Sequence, residues 1–494
     1  MKTKLTSISR RSLKNLGALL AITTTLASTS TSQAAVNWDT PAAVPAGQRV
    51  EYAKAAIATD AAGNVFSAGY RDYGAGNVQA LVTYRTNGGG ALPDNFFRPT
   101  ADQYVYTGGV FDPAANRLYL SGTRTVVGGT NTWFVRCLAV NPGVGIGAQQ
   151  WITYLTPAVL GIGITHSYGG TLAFDGLDVY ASGCLNNGIV VTKIVPATGA
   201  LSPAWPAVAP AVAGVRYLIG ANWTCPPLLM PGSVTGGIFQ AVRQSFVRVT
   251  GTSVFLGGTL NRAAISLEDM AVLRVVKGGG FIGTVPAGFP AWRDNVNQRD
   301  CMFGLAAIGD YAYATGSSVN GGAVPTAMTI SLLANGANRG GTPIMGVLGS
   351  YSNDIEAFDN AGTYTFSFGG NNVAAGFVTR CVSTNVGAIA GAASFGYGAA
   401  ATDEVCDLTI GSGAANGIVY ATGQIWDAMA ASNCEQIMRI DNAGFVSGDK
   451  LPAGYAECYG NGVIYTAGGM ASVFTSGNSL NGALFTAQRT SVTP

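Results

Sequence analysis

One short pattern recurs through this chain and limits its fold more than any other feature. An aliphatic residue or a stand-in is followed by an aromatic, two mostly small residues and glycine. The copies are Val65-Phe66-Ser67-Ala68-Gly69, Leu118-Tyr119-Leu120-Ser121-Gly122, Val179-Tyr180-Ala181-Ser182-Gly183 and Val254-Phe255-Leu256-Gly257-Gly258. They continue as Ala312-Tyr313-Ala314-Thr315-Gly316, Thr365-Phe366-Ser367-Phe368-Gly369, Val419-Tyr420-Ala421-Thr422-Gly423 and Ile464-Tyr465-Thr466-Ala467-Gly468. The closing glycines stand 53, 61, 75, 58, 53, 54 and 45 residues apart. A unit this size that recurs eight times belongs to a repeat architecture, each copy burying its face against the next.

Each copy has companions. Upstream lies a short apolar run, then a turn such as Asp60-Ala61-Ala62-Gly63-Asn64 or Asp112-Pro113-Ala114-Ala115-Asn116, whose residues suit a hairpin tip. Downstream comes a strand with a basic residue: Arg85, Arg136, Lys193, Arg274, Arg380, Arg439 and Arg489, with no base in the fifth copy. Some copies then show a tryptophan: Trp151, Trp205 and Trp292. Up to four strands per unit predict an all-β fold, a single β-propeller of eight blades, with seven the alternative count. Only five residues follow Arg489, too few for a fourth strand, while Trp38 matches the tryptophan-bearing fourth-strand segments in register. The N- and C-terminal strands are therefore expected to share one blade.

The Asp/Asn-Gly turn, the apolar-aromatic-x-x-Gly strand and the Phe-Val-x-Arg/Lys strand together resemble the delta-sixty and related degenerate repeats of exported bacterial β-propellers. The resemblance covers residues 36 to about 490. It implies the architecture and brings no shared catalytic residues.

Composition agrees with many short strands and tight turns: Gly is 69 of 494 residues, and only 11% of residues are charged. The first 35 residues read as a signal peptide. Lys2, Lys4, Arg10, Arg11 and Lys14 precede an apolar stretch from Leu16 to about Ala27, and Ser32-Gln33-Ala34-Ala35 offers a cleavage point after Ala34 or Ala35. The general secretory route is favoured, with Ser9-Arg10-Arg11 leaving the twin-arginine route open. Residues 36–494 form the propeller domain, with a Pro-rich insertion around 204–237. Without the leader, Lys+Arg falls from 27 to 22 against 25 acids, so the working chain carries no basic excess for nucleic acid and no transmembrane anchor. The expected location is secreted, periplasmic or cell-surface. Eight cysteines in such a compartment point to disulfides of open connectivity, and no C-x-x-C spacing marks a metal site.

No catalytic motif stands out. Acids cluster before the inner strands of later repeats: Asp300, Asp354, Glu356, Asp403, Glu404 and Glu457. At an axial mouth such carboxylates either form a hydrated rim or act as an acid/base pair, and Asp354, Asp403 and Glu404 are the candidates. They would also suit Ca²⁺, although no calcium-loop motif occurs; no cofactor is predicted. His166, the sole histidine, is a candidate general base, set against an ordinary loop histidine. Trp205, Tyr217 and Trp223 in the insertion are candidate ligand-binding residues, since exposed aromatics stack on sugars. The recurring bases are read as structural, paired with turn acids. Two functions follow. The first is a non-enzymatic binding or surface-interaction module for carbohydrate or cell-surface components. The second is a polysaccharide hydrolase or lyase.

Overall fold

In a computed structural model, strand follows strand with almost no helix. It describes residues 36–39 and 48–490 apart from 127–128, 164, 227–244, 263–267, 278–284, 294–298, 321–323, 338–343, 349, 361–362, 372–375, 385–388, 398–402, 412–416, 428–431, 442–443, 451–457, 467–471 and 480–483. The leader expected at 1–35 lies outside the described residues, as does Glu457. Residues 34–494 form one compact unit.

The described strands form eight separate four-stranded antiparallel sheets. Their inner strands are Arg49–Thr59, Gln103–Asp112, Ser167–Phe174, Ser245–Val249, Arg299–Ile308, Tyr351–Asn360, Glu404–Ile410 and Cys458–Thr466, here taken as sheets 1 to 8. Each inner strand packs on the inner strand of the next sheet, and that of sheet 8 packs on that of sheet 1. The result is a closed β-propeller. Its buried side chains fall into layers between neighbouring sheets, such as Phe66, Tyr84, Tyr104 and Phe134 between sheets 1 and 2.

The expected blade organisation needs correction in three places. The alternative count of seven fails, because eight sheets stand apart. In the last sheet, Ile464-Tyr465-Thr466 belongs to the inner strand, and the second strand is Ser472–Ser479. That strand contains Val473-Phe474-Thr475-Ser476-Gly477, a better copy of the repeat, 54 residues after Gly423. In sheet 6 the glycine equivalent to the other motif glycines is Gly370, which faces Ser352, while Gly369 faces Asp354. At the ring's closing seam, Val36–Asp39 pairs antiparallel with Leu484–Thr490 as the outermost strand of sheet 8.

The motif glycine has a physical cause. Seven inner strands carry a register irregularity opposite the second strand; only Ser245–Val249 runs straight. At the bulge the inner strand's carbonyl leans onto the second strand. A Cβ on Gly316 would stand 1.8 Å from the Cys301 carbonyl oxygen, on Gly423 1.9 Å from that of Glu404, and on Gly122 2.4 Å from that of Val105. Only glycine fits there.

The disulfide expectation is also overturned. Cys137, Cys184, Cys301 and Cys381 are free thiols, so at most half of the eight cysteines can be bridged. Cys137, Cys184 and Cys381 lie in three different intersheet layers, which separates their sulfurs.

Candidate binding surface

Antiparallel order decides which loops share a face. The starts of inner and third strands lie at one end of every sheet, with the ends of second and fourth strands. His166, Asp300, Tyr351, Asp403 and Glu404 therefore sit on one face of the ring, with the turns that join second to third strands. The turn acids Asp60, Asp112 and Asp175 sit on the other face. The insertion aromatics are split by the same rule. Trp205 lies between the third strand of sheet 3, Gly188–Ile194, and its fourth, Val215–Ile219, on the turn-acid face. Trp223 follows that fourth strand, on the face of the inner-strand starts.

Most of the anticipated site residues hold the ring together. Asp354 is buried, and its Oδ2 accepts the Leu408 amide of the next sheet at 3.0 Å. Asp407 repeats the device, accepting the Val463 amide at 2.8 Å. Asp403 is 1% exposed, and its carbonyl accepts Asn371 Nδ2 at 2.6 Å. Glu404 is buried and accepts the hydroxyl of Tyr351, whose ionisation is pushed far up by burial and by that carboxylate. These acids form neither a hydrated rim nor an open acid/base pair. His166 accepts the Asn131 amide on Nδ1 at 3.0 Å, and its own amide donates to Asn186 Oδ1 at 2.9 Å. It clamps two neighbouring loops, with Nδ1 already committed. Among the described residues no cluster of His, Cys, Asp and Glu is arranged to hold a metal.

Trp205 is corrected as a stacking platform, for it is fully buried, 5.8 Å from the Tyr180 ring. Tyr217 is half-buried and donates its hydroxyl to the Ala209 carbonyl at 2.7 Å. Arg85, Lys193 and Arg274 pair with acids as read, whereas Arg136 bonds Gln149, Asn95 and Tyr106 instead of an acid. Lys193 meets Asp178 at 3.0 Å, and Arg85 meets Asp94 at 3.2 Å. Arg274 reaches Asp310 in the neighbouring sheet.

Trp223 is different. It is half-buried and meets Trp292, on the outermost strand of sheet 4, edge to face at 5.3 Å. The Arg262 guanidinium lies 4.2 Å over the Trp292 ring and pairs with Asp269 at 2.7 Å. Asp269 is fully buried at the start of the third strand, which fixes Arg262 in place. The Trp223 segment is equally fixed. Thr224 and Asn261 exchange backbone hydrogen bonds at 2.8 and 2.9 Å, and the Cys225 amide donates to the Asn186 carbonyl at 3.1 Å. Glu268, next to Asp269 in the chain, pairs with Arg299 at 3.0 Å. Burial raises the Glu268 carboxyl, Arg299 opposes the shift, and Asp269 adds to it. Trp292 and the arginines were not anticipated here. Trp292 was read only as a fourth-strand marker, and nothing in sequence places Arg262 over it from thirty residues away.

No known family and no curated protein matches the chain. Among solved structures it is similar to the WD40 domain of SCAP from fission yeast, at 9% identity and a TM-score of 0.42, covering 92% of this chain and 98% of that one. It is also similar to Sqt1 from Chaetomium thermophilum, at 10% identity and a TM-score of 0.49, covering 89% and 96%. The Dos1 propeller gives 9% and 0.47, covering 90% and 95%. Likenesses this distant carry no argument about what this chain binds. No helix among the described residues is long and apolar enough to cross a membrane.

Proposed function

We propose that the chain is a non-enzymatic interaction module whose propeller presents the Trp223–Trp292–Arg262 surface to a protein partner. The observation that carries this reading is a pair of half-buried indoles at 5.3 Å, held rigid by backbone bonds and by an arginine anchored on a buried aspartate. Tryptophan and arginine dominate binding energy at protein interfaces, and a rigid platform loses little entropy on association. The burial of Asp354, Asp403 and Glu404 speaks against the hydrolase reading. Export to the periplasm or cell surface belongs to the same proposal. It rests on the first 35 residues, and N-terminal sequencing that starts at Ala35 or Val36 is its check.

The test is affinity capture from the producing cells with the wild type and Trp223→Ala in parallel. A partner held by the wild type and lost by the variant is the expected result. Undiminished capture by Trp223→Ala overturns the reading. So does cleavage of a polysaccharide that Asp403→Asn abolishes in a folded protein.

A further inference from the structure

In sheet 1 the second strand, Val65–Asp72, turns into the third, Val78–Arg85, on the face of the inner-strand starts. The outer strand, Asn95–Phe97, ends on the same face. Phe96 is 39% exposed and is the one exposed aromatic ring among the described side chains. Tyr73 lies 6.4 Å from it, and the Arg71 guanidinium lies 4.8 Å over the Tyr73 ring. Guanidinium, phenol and phenyl thus stand in one row.

Two arginines lock the amides around this row. Arg71 donates from Nε and Nη2 to Gln48 Oε1 at 3.0 and 2.8 Å. Arg98 donates from Nη1 to Asn77 Oδ1, which also accepts Gln79 Nε2 at 3.3 Å. Gln48 and Asn77 each turn their oxygen to a guanidinium, so Gln48 Nε2 and Asn77 Nδ2 remain to donate and Gln79 Oε1 to accept. All three side chains are half-buried. Arg71 meets no carboxylate among the described residues, and its Nη1 is uncommitted. Arg71, Arg98 and Arg124 stand here against Asp72 and Asp102, a balance of +1. Asp102 is taken by Arg124 at 2.7 Å, and Asp72 accepts the Gly74 amide at 2.8 Å. Asp94 is paired with Arg85, and Arg49 and Glu51 on the neighbouring inner strand add one charge of each sign.

We infer that this corner binds a uronate residue of an acidic polysaccharide. A sugar acid carries in one ring what these groups complement: a C–H face for the aromatics, hydroxyls for the amides and a carboxylate for Arg71. Amides already oriented by charge-assisted bonds lose little freedom on binding. The corner belongs to sheet 1, whereas Trp223 follows sheet 3 and Trp292 lies in sheet 4, so it stands independently of the protein-partner surface proposed above.

The experiment is calorimetric titration of the full mature chain with polygalacturonate and alginate at low and high salt. Dextran and a Glu-Tyr copolymer serve as comparison probes. Binding of a uronate polymer that salt weakens, and that Arg71→Gln and Phe96→Ala each weaken about tenfold, is the expected result. Phe96 is exposed, so its variant should keep the fold, which circular dichroism verifies for both. Failure of both uronate polymers to bind overturns the inference, as does an affinity that either folded variant leaves unchanged. Equal binding of dextran overturns the acidic class. Tighter binding of the copolymer overturns the glycan class in favour of an acidic peptide.

Discussion

Hydroxyls and thiols inside the intersheet layers titrate under duress. Burial pushes Tyr84 up to about 12, helped by its bond to Asp60, and burial also takes Tyr119, Tyr154 and Tyr420 to about 12. A raised folded value favours the neutral form. The stability it contributes is complete below the unfolded value near ~10 and is lost as pH rises toward ~12. Tyrosinate absorbance at pH ~11 should therefore show these four still protonated in the folded protein and ionised once urea unfolds it. Asp175 shows the opposite sign. Burial alone would raise it, but the Lys277 ion pair at 2.7 Å and the amides of Asp178 and Leu177 hold it below the ordinary carboxylate range. Its contribution is present above ~4 and lost as pH falls through the folded value. Lys277→Met should flatten the acid limb of a plot of melting temperature against pH. The thiols Cys137, Cys301 and Cys381 are pushed to about 12 by burial, so a thiol reagent at neutral pH should leave them unmodified until the chain unfolds. Unfolding without reductant should then release at least the four free thiols, and fewer would contradict the structure.

At the scale of the strand, the bulge and the motif glycine are one device. The inner strand gains a residue, its carbonyl swings toward the second strand, and the second strand answers with a missing side chain. Gly316→Ala forces a Cβ into the Cys301 carbonyl and should cost about 1–3 kcal/mol, read as a lower midpoint in urea. Gly163→Ala, where nothing lies within 4 Å, is the control and should leave the midpoint in place. The position after the bulge has a second solution. Gly108 and Gly304 let the next inner strand come close, whereas Asp354 and Asp407 reach it with a carboxylate. The pentapeptide was legible in sequence because the crowding recurs. The true second strand of sheet 8 was missed because Ile464-Tyr465-Thr466-Ala467-Gly468, whose first three residues close the inner strand, satisfies the same loose pattern a few residues earlier.

The whole molecule is a ring, and its seam is made by joining the chain's two ends. Val36 faces Arg489, Trp38 faces Gln488 and Asp39 faces Ala487, while the inner strands of sheets 1 and 8 pack together at the axis. Removing residues 36–45 exposes the edge of Leu484–Thr490 and should lower the melting temperature by several degrees in one transition. An unchanged melting temperature would show that the seam contributes nothing. A second whole-ring contact links sheets that are not neighbours. Arg248 on the inner strand of sheet 4 reaches Glu356 on that of sheet 6 at 3.5 Å, passing sheet 5. Both are about 30% exposed, so the pair is partly screened, and Arg248→Met should change stability by no more than ~1 kcal/mol.

Sequence by itself determined the strand-rich repeat, the glycine within most of its second strands, the pairing of three of the recurring bases with acids, and the terminal strand that joins the last sheet. These are legible because each is local or repeated, and repetition turns a weak signal into a strong one. Only the tertiary structure decided that Asp354, Asp403 and Glu404 are buried between sheets, and that Trp205 is core. It also decided that Trp223 and Trp292 meet edge to face, with Arg262 over the Trp292 ring. Burial and cross-sheet proximity depend on which end of each antiparallel strand a residue occupies and on which sheet stands next in the ring. Neither quantity is written in the spacing of residues along the chain.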